Sequence, residues 1–401
     1  MITKNNIDSP LIKIIMREVI RIKERKTLYL LSIILPVILF LTLALIYKNG
    51  VVRDLPVAIF DADNSETSRL LTRAVDASAS MEVVEHINSM DKLKSEFLKG
   101  KIQGAFYFPS GMETDLKSGK STKLVIFKNT SNLIIGNMLY KDGMTITRTF
   151  SGGILLKKLR AKGIPEQKAM AIVNPVRVET QSLYNPNYNY TSYLIPGLLT
   201  ATLQMIIMIA TVLIISSEFS HKTFPELITL SGNNAFIIFM GKSLPHLAIH
   251  FATALGIIGI IFPLFSIEIN GSVLFTCLFL MYFIIAVFFL GMLISSIFHE
   301  QLFATELALF INTPAFIFSG FTFPLWGMPA LHNYFAQIIP FTHFLTGFLK
   351  IYQMGTPLKY VLPEFLKLSV FLVFSFIATI FVLRYQINHY YKLNMNTAGD
   401  I

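Results

Sequence analysis

Six long apolar stretches run along the chain, and between the first two lies a segment patterned like a soluble domain. A helix rising about 1.5 Å per residue needs about 20 residues to cross a hydrocarbon layer about 30 Å thick. Leu28 to Tyr47 supplies 20 residues without a charge, Tyr193 to Ser217 supplies 25, Ser243 to Ile267 supplies 25 and Ser272 to Phe298 supplies 27. Gln301 to Phe323 supplies 23, interrupted by one acid, Glu306. Leu368 to Leu383 has only 16, but Lys367 and Arg384 flank it and can snorkel to the interfaces. A seventh stretch, Pro329 to Leu349, lacks charges but holds His332, Asn333, Gln337, Pro340 and His343. Polar groups in lipid need partners, so segment 324–350 reads as a re-entrant or interfacial element rather than a span. The pattern predicts a polytopic α-helical membrane protein of six transmembrane helices, which returns the chain to its starting side.

From Lys48 to Tyr190 the texture changes. The segment carries 20 Lys/Arg against 14 Asp/Glu, a density that only a water-facing domain tolerates. Strands are expected at Pro56–Phe60, Val83–Ile87, Gly104–Phe108 and Leu124–Phe127, with a closing strand at Val176–Gln181. Helices alternate with them: one capped by Ser65 or Thr67 and running to Ala77, then Asp91–Lys99, Gly111–Leu116 and a long one from Leu133 to Lys162. Asn185-Pro186-Asn187 makes a turn before the second span. Alternation at this spacing predicts an α/β or α+β domain over 48–190.

The arm before Leu28 carries Lys4, Lys13, Arg17, Arg21, Lys23, Arg25 and Lys26. Lys222 and Lys242 lie between the second and third apolar stretches and Lys392 follows the last. Positive residues in short loops stay inside, so both termini are expected in the cytoplasm and 48–190 outside. Lys350 and Lys359 argue weakly the other way. Within the arm, Leu11, Ile15, Val19 and Ile22 share one helical face opposite Lys13, Arg17 and Arg21, the pattern of an amphipathic helix over 1–27 lying in the inner headgroup region. With 53% hydrophobic and 14% charged residues the chain is neither disordered nor an ordinary soluble enzyme. Its net charge of +10 is concentrated in the arm and the soluble segment, so it is no argument for nucleic acid. One Cys excludes an internal disulfide or a Cys-cluster metal site.

Several strings imitate catalytic motifs. Ser118-Gly119-Lys120-Ser121 and Gly241-Lys242-Ser243 look like the ends of phosphate-binding loops, but Thr114 and Phe236 stand where the cradle glycine belongs. No nucleotide site is therefore expected in this chain, nor any catalytic, cofactor or metal-binding residue. His299-Glu300 begins a zinc motif but meets Phe303 where the second His is required.

Two segments carry a family resemblance. The segment Glu218–Lys242 reads EFSHKTFPELITLSGNNAFIIFMGK, and the fifth apolar stretch closes on FSGFTFP followed by WGMPALHNYFAQIIPFTH. Ser319, Gly320, Phe323, Pro324, Met328, Pro329 and Pro340 sit where permease subunits of type-2 ABC exporters carry the same residues. The match is nearest to the multidrug-permease-like subgroup with a large external domain between its first two spans. In the loop, Glu218, Thr223, Leu227, Gly241 and Lys242 fit the family pattern, and the resemblance implies that these residues, with Glu226, dock the ATPase and couple its motion, Leu227 as an apolar contact. Lys222 replaces its glycine, and Glu226 stands one place after the expected acid. The resemblance implies a permease that moves a hydrophobic or amphipathic small molecule outward through a bacterial inner membrane. It implies a cytoplasmic ABC ATPase dimer holding the ATP and Mg, a second permease subunit, identical or paralogous, and room for a periplasmic adaptor.

The residues alone leave alternatives open. Ala235–Met240 is an apolar patch for a partner or for lipid. Glu218 is placed to pair with Arg21 or Arg25. Glu306, an acid inside a span, is either a translocation-path group or a solvated side chain near an interface. His246 and His250, one turn apart, line a path or pack. A non-transporting receptor or envelope-assembly scaffold with a ligand-binding external domain is the competing function.

Overall fold

A short amphipathic helix opens the described chain, α1 (Pro10–Glu24), and an apolar helix follows, α2 (Leu30–Ile46), whose first turn, Leu30–Ile34, is a π-turn. The computed structural model describes residues 9–48, 50–176, 178–185 and 189–399. Lys4 of the arm, Arg177 of the expected closing strand and the Pro186-Asn187 turn lie outside them.

Residues Val51–Gln181 form one compact unit. Its strands are β1 (Leu55–Asp61), β2 (Met81–His86), β3 (Gly104–Phe108) and β4 (Val125–Lys128), in the order β2-β1-β3-β4. Both neighbours of β1 run parallel to it, and β4 closes the edge antiparallel to β3. The intervening helices are α3 (Glu66–Asp76), α4 (Met90–Leu98) and α5 (Met112–Ser118). Ser65 starts α3 through a reciprocal capping box with Ser68, which satisfies two otherwise orphan backbone donors. Leu71 and Val75 of α3 and Met112 of α5 cover one face of the sheet with Leu55, Val57 and Ile59. Leu93 of α4 covers the other with Ala58, Ile87 and Ala105. The alternation of short apolar strands and helices thus produces a layered α/β unit. Two further helices complete it, α6 (Leu133–Ala161) and α7 (Glu166–Val173). Residues 178–181 form no strand, so the expected closing strand is absent among the described residues; its alternating valines, Val176 and Val178, are exposed, with no apolar surface to cover.

The second unit comprises residues 1–50 and 182–401. Five of its helices are long and apolar enough to cross a membrane: α8 (Thr191–Ser220), α10 (Ala235–Leu264), α11 (Val273–Ile297), α12 (Gln301–Phe318) and α15 (Leu362–Lys392). Between α8 and α10 sits the short helix α9 (Phe224–Leu230). Between α12 and α15 lie α13 (Ala330–Gln337) and α14 (Pro340–Tyr352). The chain is therefore a polytopic, mostly helical membrane protein. Several boundaries differ from those read in the sequence: α12 ends at Phe318 rather than Phe323, and α15 begins at Leu362 rather than Leu368. Lys242 had set the start of the third apolar stretch at Ser243, yet α10 begins at Ala235, because that lysine is held inside the protein by acids and need not lie at a boundary. Arg384 no longer ends the last helix, which runs to Lys392 because its exposed face carries the charge outward.

The apolar core of this unit draws on α8, α10, α11, α14 and α15; within it Phe283 of α11 stacks on Phe344 of α14, and Phe239 of α10 packs edge-on against Phe289 of α11 and Phe376 of α15. Polar pairs add specificity where lipid offers none. Ser295 of α11 accepts from the backbone of Ile215 and Ser216 on α8 at 2.8 and 3.0 Å. Gln204 of α8 donates to Asn312 of α12 at 2.8 Å.

Candidate functional site

The arm helix α1 turns out to be amphipathic in an unexpected sense. Its buried residues are Ile14, Glu18 and Ile22, and its exposed side carries the apolar Ile12, Met16, Val19 and Ile20 beside Lys13, Lys23 and Glu24. The face expected to carry charge into solvent, with Arg17 and Arg21, turns partly inward instead. Of the apolar face read in the sequence, Ile22 is buried and Leu11 lies beside Gly241, whereas Ile15 is half-buried and Val19 is exposed.

The reason lies in what α1 meets. Its axis crosses the start of α10 at Gly241, where a Cβ would lie 2.6 Å from Cγ2 and 2.8 Å from Cβ of Ile14. This close approach brings the charged residues of four segments together. Glu218, fully buried at the end of α8, accepts from Arg17 through both carboxylate oxygens at 2.9 and 3.1 Å. Arg21, Lys242 and the Thr223 hydroxyl contact the same carboxylate. Arg21 also donates to Ser217 at 3.3 Å. Glu18 accepts from Lys242 Nζ at 2.5 Å and from His246 Nε2 at 3.0 Å, with Lys242 fully buried. On the outer edge Arg17 also bonds Glu226 of α9, Nη2 to Oε2 at 3.2 Å.

Three cations, Arg17, Arg21 and Lys242, thus face three carboxylates, Glu18, Glu218 and Glu226. Such an arrangement is tolerated inside a protein only because each charge is paired and hydrogen-bonded. Burial alone would raise the Glu18 pKa, but the Lys242 ammonium and the His246 ring reverse this and hold it well below the ordinary carboxylate range. Burial lowers the Arg21 guanidinium to about 10, still charged at neutral pH. Since the Glu18 pKa is depressed by folding, its contribution to stability is complete above about pH 4.3, the unfolded value, and is lost as pH falls below it.

The loop itself is more enclosed than its sequence suggests. Phe224, Leu227 and Ile228 of α9 are buried in the chain's own core. So are Ala235, Ile238 and Phe239, leaving Phe236 as the exposed apolar residue of the 235–240 patch. Leu227 and most of that patch are thus unavailable to a partner. The surface offered to solvent is polar: His221, Lys222, Glu226, Thr229, Asn233 and Asn234. Glu218 pairs with Arg21 as expected and with Arg17, which the sequence reading had not assigned; no ion pair joins it to Arg25 among the described residues. Lys222 has φ 56°, a left-handed conformation that costs a side-chain-bearing residue about 1–2 kcal/mol. The position asks for glycine. Lys222→Gly is expected to stabilise the protein by about 1 kcal/mol, read as a rise in melting temperature in lipid nanodiscs; an unchanged or lower value would refute it.

Beside the loop an apolar cleft of about 580 Å³ opens between Phe219, Phe224, Ile297, His299, Tyr385 and Tyr390.

The second candidate group gathers at the end of α12. Ser319 caps that helix, donating to Phe316 O at 2.7 Å, and is buried. Gly320 has φ +86°, and a Cβ there would lie 2.9 Å from Leu325 Cγ, so the turn requires glycine. Phe323 and Trp326 are exposed, Pro324 precedes a short 3₁₀ turn, and Met328 and Pro329 lead into α13. Pro340 starts α14, where its missing N–H costs nothing. The motif thus builds a sharp corner linking α12 to two short helices, of which α14 is largely buried. Glu306 lies apart from it, exposed on the second turn of α12. Inward on that helix stands Asn312, which pattern reading passed over.

The family model described as ABC-2 family transporter protein matches residues 26–381. The chain belongs to the ABC-2 transporter family. It is similar to two proteins of Escherichia coli (strain K12). One, "Probable multidrug ABC transporter permease YbhR", is 24% identical over 351 residues, 86% of this chain and 89% of that protein. The other, "Probable multidrug ABC transporter permease YbhS", is 22% identical over 337 residues, 82% of this chain and 84% of that protein. It is also similar to "ABC transporter G family member 20" of Dictyostelium discoideum, 25% identical over 214 residues, 53% of this chain and 29% of that protein. These matches place this ABC-2 chain among multi-pass transport components.

For this ABC-2 protein the structure brings Glu218, Thr223, Glu226 and Lys242 into one cluster, with Gly241 at its packing point and Leu227 beneath it. It adds Arg17, Glu18 and His246. A signal for them existed: Glu18 is an acid set between Arg17 and Arg21 on a basic arm, and His246 follows Lys242 by one helical turn.

Proposed function

We propose that the chain is the membrane-spanning subunit of an ATP-driven exporter, moving a hydrophobic or amphipathic small molecule out of the cytoplasm or the inner leaflet of a bacterial inner membrane. In this reading α2, entered from Lys26, is the first of six spans, both termini and the segment 218–242 are cytoplasmic, and Val51–Gln181 lies outside. ATP and Mg reside on a separate ABC ATPase dimer, and a second permease subunit, identical or paralogous, completes the path. A periplasmic adaptor is compatible with the outer unit. The chain itself carries no catalytic or cofactor role.

One observation carries the proposal. The end of α8, the start of α10 and α1 are bound by the shared carboxylates of Glu218 and Glu18, and Arg17 ties in α9 through Glu226. A segment that passes force from an ATPase to membrane helices must be stiff, and a packed ion cluster stiffens it without closing its outer surface. The apolar cleft beside it supports an amphipathic cargo. The corner built by Ser319, Gly320, Phe323, Pro324, Met328, Pro329 and Pro340 is then the gate at the opposite end, with Glu306 on the same helix as a path group.

Because Leu227 is buried, Leu227→Asp tests folding rather than docking, and it should abolish recovery of the folded chain. The docking test belongs on the exposed ridge. Thr229→Glu should leave the melting temperature unchanged while reducing co-purification of the ATPase at least tenfold. Wild-type association and transport for Thr229→Glu would sink the docking role. Orientation is tested by labelling in a Cys277→Ser background. Lys120→Cys should react with an impermeant maleimide added outside intact cells, and Thr229→Cys only after permeabilisation; the reverse pattern overturns the topology.

A further inference from the structure

We infer that the unit Val51–Gln181 carries a binding site for a phosphate-bearing ligand in the crevice between the carboxyl ends of β1 and β2. The crevice has a volume of about 730 Å³ and is walled by Arg69, Thr72 and Arg73 of α3, by His86 at the end of β2 and Asn88 after it, and by Lys92 of α4. Its position follows from the topology. The chain leaves β1 through α3 on one face of the sheet and leaves β2 through α4 on the other. The gap lies beyond the carboxyl ends of two parallel strands, the side of the sheet on which open α/β folds bind ligands.

The chemistry of the gap is that of an anion site. Arg69 and Arg73 stand one helical turn apart on α3, where like charges repel unless an anion bridges them. Arg69 is braced by one donor, Nη1 to Asn64 O at 3.0 Å, which leaves the rest of its fork for a ligand. Arg73 makes no ion pair among the described residues; Asp76, three residues further along α3, accepts instead from the backbone of Val83 at 3.1 Å. Two acids border the gap, and both are engaged. Asp61 accepts from the backbone of Asp63 and Asn64 at 3.0 and 2.9 Å and from Ser68 Oγ at 2.6 Å, so it builds the turn after β1. Glu85 holds Lys92 at 2.7 Å and orients that ammonium over the rim. The amino end of α4 borders the same gap through Asn88 and Lys92 and adds its partial positive charge. Two guanidinium forks on one ridge suit the tetrahedral oxygens of a phosphate better than a single carboxylate. The volume exceeds that of inorganic phosphate, so the ligand carries a substituent: a soluble phosphate ester or the headgroup of a phospholipid.

The test uses the full chain in phosphatidylcholine nanodiscs and radiolabelled glycerol 3-phosphate in equilibrium dialysis. Saturable binding that weakens with added NaCl is expected. Arg69→Gln/Arg73→Gln should lose at least tenfold in affinity with an unchanged melting temperature, and Lys168→Gln, a cation outside the crevice, should bind as wild type. Displacement by dihexanoyl phosphatidic acid at lower concentration than by unlabelled glycerol 3-phosphate identifies a lipid headgroup; the reverse order identifies a soluble ester. No saturable binding of either compound, equal affinity in the double variant, or an equal loss in Lys168→Gln overturns the assignment. Transport is not read in this test, so its outcome is independent of the exporter reading.

Discussion

Lys242→Met should destabilise the protein by about 3–5 kcal/mol, the cost of leaving buried carboxylates without their cation. Lys242 is fully buried and touches both Glu18 and Glu218. The two losses are unequal. Glu218 keeps Arg17 and Arg21, whereas Glu18 keeps only His246 among its described partners. Most of the penalty therefore sits on Glu18, and Glu18→Gln/Lys242→Met should recover more than half of it, because the charge left stranded is removed with its partner. Thermal unfolding in nanodiscs measures both variants. A single variant as stable as wild type, or a double variant no better than the single, would show that the pair is not buried as described.

Gly241→Ala should cost about 1–3 kcal/mol by overpacking and should detach α1 from α10. The added methyl meets not only the mobile Cγ2 of Ile14 but also its Cβ at 2.8 Å, and a Cβ moves only with its backbone. The helix as a whole must retreat, and with it Arg17 and Glu18. Transport should fall with stability, unlike a simple cavity variant elsewhere. Ile14→Ala trims the opposing surface, so Gly241→Ala/Ile14→Ala should be more stable than Gly241→Ala alone. Limited proteolysis within α1 reports detachment directly; equal resistance of wild type and Gly241→Ala would refute the close contact.

The elements that were legible in the sequence are those fixed by local physics. β3 was placed at Gly104–Phe108 because an apolar run bounded by turn residues admits little else, and Ser65 caps α3 because a hydroxyl before an amphipathic run serves that end. The site was only half legible. Glu218 and Lys242 were singled out through a family pattern, and Gly241 has its reason in a contact with Ile14, 227 residues earlier, that no local rule reveals. The arm misled most. Its periodicity was read correctly as a helix, but the usual rule that charges face water failed, because carboxylates from distant segments meet the arginines inside. Leu227 looked like a contact residue for the same reason: one helical turn of apolar residues in a loop gives no sign of whether its cover comes from another chain or its own. Gln204 and Asn312 escaped notice since single amides inside apolar helices carry no pattern at all.

The partners in the charge cluster stand far apart along the chain: Arg17 and Glu218 are separated by 201 residues, and Glu18 and His246 by 228. At about 5–20 residues per second of synthesis, α1 emerges roughly 11–46 seconds before the last of its partners exists. During that interval Arg17, Glu18 and Arg21 belong to an unfinished protein and have only water, lipid headgroups or a chaperone to meet. The cluster is thus a late event in biogenesis, one that closes only after α8 and the start of α10 have been made. A chain interrupted before Glu218 keeps its basic arm free, so the arm's accessibility dates how far assembly has advanced.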